Sequence, residues 1–227
     1  MKRIAEFMMQ QIFAVNGPTG LHLRSDLHLA RKVWHMFMGA TMASIYFSGM
    51  SVHVAVLCLS VALCLSVSLE FARLRVPSFN EKIVRLWGPV MRHCEINRVS
   101  GIPFYILATL LAIGIFPKPI AVLSILYLAF GDPVASVVGI LYGKYGPRFS
   151  NGKSLIGTLA GVATCTLVGF FFLKTLSLPP TVYLSLVLIG GIAGGVAELA
   201  PFEMDDNLSI PIVSGFVLWF AFIVFGV

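Results

Sequence analysis

Seven apolar segments, each of about 15 to 24 residues, constrain this chain more than any other feature of its sequence. A helix of this length can cross the hydrocarbon core of a bilayer, and it satisfies its own backbone hydrogen bonds in lipid. The segments lack the period-two alternation of half-buried strands. We therefore predict an all-α integral membrane protein with spans at Val33 to Ser48, Val52 to Leu69, Ile102 to Phe116, Pro119 to Tyr142, Leu155 to Leu173, Thr181 to Ala200 and Leu208 to Gly226.

The composition agrees with a membrane protein of one domain. Of the 227 residues, 58% are hydrophobic and only 11% are charged, which is too apolar for a soluble domain of this length. The net charge of +6 comes from basic residues between the apolar segments, so it suits an anionic membrane surface better than a nucleic acid. The four cysteines have no CxxC spacing, and we expect neither a disulfide framework nor a zinc site.

The start of the chain differs from the rest. Apolar residues recur there at helical spacing, with polar residues between them: Ile4, Met8, Ile12 and Val15. This pattern predicts an amino-terminal interfacial helix within residues 1–30, and the polar interruptions argue against a cleaved signal peptide. Residues 31–227 are then the membrane-embedded domain.

The basic residues predict the orientation in the membrane. Seven spans place the amino terminus and three connections on one face, namely Glu70 to Gly101, Gly143 to Ser154 and Pro201 to Asn207. Of the 16 Lys and Arg residues, only Lys118 and Lys174 fall on the other face. Basic loops stay cytoplasmic, so we expect the first face to be cytoplasmic and the carboxyl terminus to lie opposite, in a bacterial inner membrane. All ten acidic residues lie on or near the first face, where we expect the working site.

The fourth span contains an aspartate beside a proline, Asp132-Pro133. A carboxylate near the centre of a span costs on the order of 3 kcal/mol to insert, so a purely incidental one is unfavourable. Pro133 removes a backbone donor and frees carbonyls nearby, which favours a water-reachable polar pocket containing Asp132 and Ser136. A structural kink is the alternative.

Small residues at every fourth position are expected to serve helix packing: Gly131, Ala135, Gly139 and Gly143.

A basic, glycine-rich loop leads into the fifth span. Its residues Gly152, Lys153 and Ser154 stand at a helix start, where backbone N–H groups and a lysine can bind phosphate oxygens. The loop is not a Walker A motif, because five residues instead of four separate Gly146 from Gly152 and no strand precedes it. An ordinary helix cap with inner-face positive charges is the alternative.

Further charged residues occur before the third span. Arg92, Glu95 and Arg98 stand three apart, so on a helix they would share a face, with the glutamate orienting both arginines towards a phosphate. A solvated, salt-bridged loop is the alternative. Lys32 and His35, beside Arg31 at the start of the first span, are further candidates for nucleotide binding, and Glu70 with Arg73 after the second span forms a similar charged pair.

The last cluster is acidic. Glu198 precedes the sequence PFEMDDN, in which Asp205, Asp206 and Asn207 offer hard oxygen ligands. Mg²⁺ prefers such ligands and bridges them to substrate phosphates, with Asp132 as a further candidate ligand. An exposed acidic turn between spans is the alternative.

Taken in chain order, these features resemble the polyprenol kinase family, which includes dolichol, phytol and farnesol kinases and CTP-dependent diacylglycerol kinases. The resemblance runs from about Arg31 to the end, and its most specific parts are GDPVAS, NGKSLIG and DDNLSIP. It implies transfer of the terminal phosphate of CTP to the hydroxyl of a membrane lipid with the help of a divalent cation. The long amino-terminal membrane region of dolichol kinases is missing, so the expected acceptor is a short isoprenoid alcohol, diacylglycerol or a bacterial polyprenol.

The resemblance and the residue inventory imply a mechanism. Lys153 with Arg92 and Arg98 would hold the triphosphate, and Asp205 and Asp206 would bind Mg²⁺. Asp132 would either bind the metal or accept the proton of the lipid hydroxyl. Three alternatives remain at this point: a CTP-using cytidylyltransferase acting on a lipid phosphate, a transporter with a buried acidic site, and a membrane scaffold. The sequence leaves the oligomeric state open.

Overall fold

The computed structural model describes residues 27–199 and 205–227, and every regular element within them is a helix. The α-helices are α1 Leu29–Phe47, α2 Val52–Arg75, α3 Pro77–Trp87, α4 Gly101–Ile115, α5 Lys118–Leu126, α6 Asp132–Tyr142, α7 Leu155–Leu173, α8 Pro180–Val196 and α9 Asp206–Phe225. The predicted all-α class is therefore confirmed. The predicted interfacial helix falls almost wholly on residues 1–26, outside the described residues.

Helices form at all seven predicted segments, but within the described ranges five helical stretches are long and apolar enough to cross a membrane: Val52–Arg75, Lys118–Tyr145, Leu155–Leu176, Pro180–Leu199 and Asp206–Phe225. Helix α4 is apolar but only 15 residues long, and α1 carries Arg31 and Lys32 in its first turn. Many large apolar side chains face outward, such as Leu57 and Leu65 on α2, which are 64% and 66% exposed. A surface of this kind belongs in lipid, and the protein is an integral membrane protein.

Helix α5 forms the centre of the bundle. Six consecutive residues of this helix, Ile120 to Ile125, are buried, and it packs against α1, α4, α7 and α9. An evenly apolar helix can be buried on all sides, because every face of it finds an apolar neighbour. Helix α5 continues through Tyr127–Gly131 into α6, so the buried axis of the bundle leads directly to Asp132.

The helix widens to a π-helical turn at Tyr127–Gly131, immediately before Asp132 and Pro133. Pro133 has no N–H to donate to the preceding turn, so the regular α-helical hydrogen-bond pattern is interrupted there. Single π turns inside helices occur often at functional sites. The predicted interruption at Asp132-Pro133 thus takes the form of a π turn.

Small residues bring α6 and α7 into close contact. A Cβ atom added to Gly157 would lie 2.7 Å from the carbonyl oxygen of Ala135 and 3.0 Å from the Cα atom of Gly139. One added to Gly161 would lie 3.1 Å from the Cβ atom of Ala135. The packing role predicted for these residues is confirmed, and its consequence is that Asp132 lies beside the loop that precedes α7.

A buried ion pair fixes the segment between α3 and α4. Arg73 is 1% exposed and pairs with Glu70, with 2.5 Å between Nη2 and Oε2. The same glutamate accepts hydrogen bonds from the backbone N–H and the hydroxyl of Ser100, both at 2.9 Å. Arg73 also donates to three carbonyl oxygens of that segment, those of Glu95, Ile96 and Arg98. We call this set the Glu70–Arg73 clamp.

Helix α3 was not predicted from the sequence. Phe79, Ile83 and Trp87 lie on its apolar face, whereas Lys82 and Arg85 lie among its exposed polar residues. No residue of this helix is buried. A short amphipathic helix with basic residues on its polar side is typical of the membrane interface.

Arg73→Ala tests the clamp. The substitution leaves Glu70 buried without its cation and removes the donor to the carbonyls of Glu95 and Arg98, and breaking a buried ion pair in this way costs about 3–5 kcal/mol. We expect a large fall in the thermal unfolding temperature of the detergent-solubilised protein. Arg85→Ala, at an exposed position of α3, is the control and should change it little. Equal, small effects of both variants would contradict the role of the clamp.

Candidate active site

A polar cleft of about 560 Å³ opens where α1, α6 and the loop before α7 meet the polar ends of α8 and α9. Eleven of the candidate site residues named from the sequence line it: Arg31, Lys32, His35, Arg92, Asp132, Ser136, Gly152, Lys153, Ser154, Glu198 and Asp206. They come from five separate stretches of the chain. The convergence of distant charged residues at a single place, expected from their shared face of the membrane, is thus present in the fold.

Lys153 links the start of α7 to the polar ends of α8 and α9. Its ammonium nitrogen lies 2.8 Å from Oδ1 of Asp206, at the start of α9, and 3.5 Å from Oε2 of Glu198, just after α8. Glu198 also accepts a hydrogen bond of 2.7 Å from the hydroxyl of Thr158 on α7. The lysine side chain is 23% exposed and the Glu198 side chain 10%, so water screens these contacts only in part.

The loop before α7 folds back on itself. Phe149 donates its N–H to the carbonyl of Lys153 at 2.8 Å, and Gly152 between them has a φ of +82°, which glycine adopts without strain. Arg148 donates to the carbonyl of Gly152 at 2.8 Å. The turn thereby holds Lys153 and Arg148 at the rim of the cleft. Arg148 was not singled out in the sequence, although it lies in the loop that was.

The backbone amides at the start of α7 are mostly used within the protein. Ser154 caps the helix by accepting the N–H of Gly157 at 3.1 Å, and Leu155 donates its N–H to the carbonyl of Pro147 at 3.0 Å. The sequence suggested that these amides would bind phosphate. The geometry instead leaves anion binding by this loop to its cationic side chains.

Among the described residues, positive charge exceeds negative charge in the cleft. Five of their Lys and Arg side chains line it, Arg31, Lys32, Arg92, Arg148 and Lys153, against three carboxylates, Asp132, Glu198 and Asp206. Lys32, which precedes the first predicted span, donates to the carbonyl of Leu27, and burial lowers the pKa of Lys32 to about 8. A cleft with surplus cations suits a polyvalent anion such as a phosphate chain.

The predicted helix carrying Arg92, Glu95 and Arg98 does not form. A single 3₁₀ turn, His93–Ile96, takes its place, because the Glu70–Arg73 clamp occupies carbonyls that a helix would need. Arg92 lines the cleft, whereas the exposed Arg98 does not. The buried carboxylate of Glu95 binds Arg31 at 2.8 and 2.9 Å, so it orients a different arginine from the two expected.

Glu70 and Arg73 also lie outside the polar cleft. The guanidinium of Arg73 is occupied by Glu70, Asn80 and backbone carbonyls, so it is not available to bind a phosphate in the cleft. The pair acts on the cleft only by holding the segment that carries Arg92 and Glu95.

The three predicted metal ligands, Asp205, Asp206 and Asn207, lie at the start of α9 and take different roles there. Asp205 caps the helix, accepting hydrogen bonds from the backbone N–H of Asn207 at 3.0 Å and from its side-chain amide at 2.6 Å. Only Asp206 of the three lines the cleft. Within residues 27–199 and 205–227 no group of three or more His, Cys, Asp or Glu side chains is gathered closely enough to hold a metal ion by itself. Asp132, Glu198 and Asp206 nevertheless share one cleft.

Comparison with known proteins identifies several relatives. The chain is 31% identical to CTP-dependent diacylglycerol kinase 1 of Eremothecium gossypii over 94% of its own length and 76% of that protein. It is 36% identical to the protein of the same name from Schizosaccharomyces pombe over 66% of its length and 73% of the relative. A probable chloroplastic phytol kinase of Triticum aestivum is 28% identical over 56% of the chain and 45% of the relative. No family model and no solved structure matches the chain.

Proposed function

This chain belongs to the family of CTP-dependent lipid alcohol kinases, and we propose that the acceptor it phosphorylates is diacylglycerol. The resemblance noted in the sequence is thereby confirmed at the level of the family and of the reaction. Diacylglycerol is favoured over phytol because the relatives named for diacylglycerol are more similar to the chain and match more of it. The observation that carries the proposed site is the convergence of Asp132, Lys153 and Asp206 in one cleft.

The triphosphate of CTP would lie along the basic side of the cleft. Lys153 and Arg148 project from the loop before α7, and Lys32 and Arg92 line the same cavity. Phosphoryl transfer requires mainly positioning of the phosphates and neutralisation of their charge, which these side chains supply. Arg98 is left out of this set because it lies outside the cleft.

The carboxylates of the cleft suit a divalent cation bound together with the nucleotide. Asp206 and Glu198 offer hard oxygen ligands of the kind that Mg²⁺ prefers, and Mg²⁺ usually completes its shell with waters and phosphate oxygens. Bound there, the cation would neutralise charge on the β- and γ-phosphates. Asp205, predicted as a ligand, would act indirectly by capping the helix that presents Asp206, and Asn207 would hold the Asp205 carboxylate through its side-chain amide.

Asp132 would accept the proton of the lipid hydroxyl. It stands at the end of the buried helical axis, whereas the Asp206 side chain is 37% exposed beside Lys153. The hydroxyl oxygen would attack the γ-phosphorus of CTP, the bond from that phosphorus to the bridging oxygen would break, and CDP would leave. The proton released from the hydroxyl would pass to the Asp132 carboxylate.

A product assay tests the proposed function. Purified protein with Mg²⁺ and γ-labelled CTP is incubated with diacylglycerol, with phytol or without lipid. We expect labelled phosphatidic acid and free CDP, with diacylglycerol the better acceptor. Release of pyrophosphate would indicate a cytidylyltransferase instead. Solute flux without nucleotide turnover would indicate a transporter, and preferential labelling of phytol would overturn the proposed acceptor.

Single substitutions test the site. Lys153→Ala, Asp132→Asn and Asp206→Asn should each lower kcat/KM by on the order of 100-fold or more, since each removes a charge that acts on the reacting groups. Asp205→Ser is a matched control for Asp206→Asn, because serine preserves the helix cap. Lys144→Ala, at an exposed position beside the same loop, is the control for Lys153→Ala. Retained turnover in all three site variants would refute the assignment.

We also propose the predicted topology, with seven crossings, the amino terminus and the cleft on the cytoplasmic face and the carboxyl terminus opposite. Its support is the distribution of Lys and Arg, together with helices at all seven segments. The bacterial inner membrane stays a prediction, since the relatives described above come from fungi and a plant.

Cysteine labelling tests this orientation. Cys94 is exposed in the segment between α3 and α4, on the predicted cytoplasmic side. In a background with Cys58, Cys64 and Cys165 replaced by Ser, a membrane-impermeant maleimide should label Cys94 in inside-out vesicles and not in right-side-out vesicles. Labelling in right-side-out vesicles alone would reverse the proposed orientation.

A further inference from the structure

A second pocket, of about 320 Å³, adjoins the polar cleft. It lies between α1, the end of α2, α3 and the start of α4, and its lining is mainly apolar, with Trp34, Met38, Met42, Trp87, Met91 and Ile106 among its residues. Arg31 and His35 line this pocket and the polar cleft alike. The two cavities are therefore neighbours separated by these two side chains.

The apolar pocket opens towards the lipid-facing surface. Three apolar side chains that line it are also exposed on the outside of the bundle: Trp34 is 39% exposed, Leu69 is 42% exposed and Ile102 is 45% exposed. The amphipathic helix α3 contributes Ile83 and Trp87 to its wall. An apolar recess beside such a helix is reached from the bilayer near the head-group level and not from water. Methionines in the wall adapt to flexible hydrocarbon chains.

His35 carries a buried polar atom without a partner at the junction of the two pockets. Its Nε2 is inaccessible to solvent and makes no hydrogen bond of good geometry with the described residues, although the imidazole interacts with the backbone of Leu128. The ring is held edge-on against Tyr105, with 4.6 Å between the ring centroids, and it lies within the electrostatic influence of Asp132. A buried polar atom left unpaired is unfavourable, so this nitrogen is suited to receive a hydroxyl group from a ligand.

We infer that the apolar pocket receives a hydrocarbon chain of the lipid alcohol and that His35 Nε2 forms a hydrogen bond with its hydroxyl group. This inference rests on the proposed function and assigns His35 to the acceptor instead of to the nucleotide, the role predicted from the sequence. The chain approaches from the bilayer, while the hydroxyl reaches the polar cleft past His35 and meets Asp132. Arg31, fixed by Glu95, forms the other part of the boundary and keeps the phosphates on the cleft side.

Filling the pocket tests where the chain binds. Met38→Trp narrows the apolar pocket, and Met36→Trp places the same side chain on the same helix at a position that lines neither cavity. Met38→Trp should raise the KM for diacylglycerol in mixed micelles on the order of tenfold and leave the KM for CTP unchanged, since it removes lipid binding alone. The same lipid KM for both variants would overturn the inference.

Replacing the histidine separates its two possible roles. His35→Phe should weaken turnover of diacylglycerol through a higher KM or lower kcat while the KM for CTP stays constant, and His35→Gln should recover part of the loss because its amide still forms hydrogen bonds. A higher KM for CTP with an unchanged KM for lipid would return His35 to the nucleotide site and overturn the inference.

Photolabelling of the unaltered protein reports where the acyl chain binds and requires neither turnover nor a correctly folded variant. A diacylglycerol carrying a diazirine on one acyl chain should label peptides from α1 and α4. Labelling confined to α7 and α8 would overturn the inference. If the unaltered protein transfers no phosphate from CTP to any lipid alcohol, the proposed function fails irrespective of where the label falls. If it is active and the label lies elsewhere, only the inference fails.

Discussion

The ion pairs of Lys153 with Asp206 and Glu198 are the interaction on which the rest of the site depends. Charged groups are costly within a bilayer unless they are paired, and here one ammonium group joins the start of α7 to the polar ends of α8 and α9. These pairs draw the ends of three helices towards a common point. A triphosphate bound there would compete with the carboxylates for the lysine, so the same contact that assembles the cleft also prepares it for an anion.

Close helix packing decides what faces this lysine. The small residues Ala135, Gly139 and Gly157 let α6 approach α7 without intervening side chains, which brings Asp132 to the cleft from the buried axis of the bundle. On the opposite side, the Glu70–Arg73 clamp holds a segment with little regular structure, and that segment supplies Arg92 and positions Arg31 through Glu95. Helix packing and the clamp thus determine where the charged side chains of the cleft lie.

The two adjoining cavities differ in polarity, as substrates from water and from the bilayer require. The polar cleft gathers cations and carboxylates for a nucleotide, and the adjoining apolar pocket is open to the lipid-facing surface. With His35 between them, only the hydroxyl group of the acceptor has to leave the hydrocarbon. A kinase acting on a membrane lipid needs such a boundary, because its two substrates are soluble in different phases.

Hydropathy and motif order in the sequence by themselves determined the helical class, the seven apolar segments and the family, and they singled out Asp132, Lys153 and Asp206 as candidates. These are properties of short stretches, which depend on segment length, local composition and residue spacing. Only the tertiary structure decided that Asp206 faces the polar cleft while Asp205 caps a helix, and that Arg73 and Glu95 support this cleft from outside it. Helix α3, the position of Arg148 at the rim of the cleft and the apolar pocket became apparent only from the fold. The physical reason is that partners such as Lys153 and Asp206, or Arg31 and Glu95, stand 53 and 64 residues apart in the chain. Helix packing, and not the local sequence, therefore decides which of two neighbouring side chains meets such a partner.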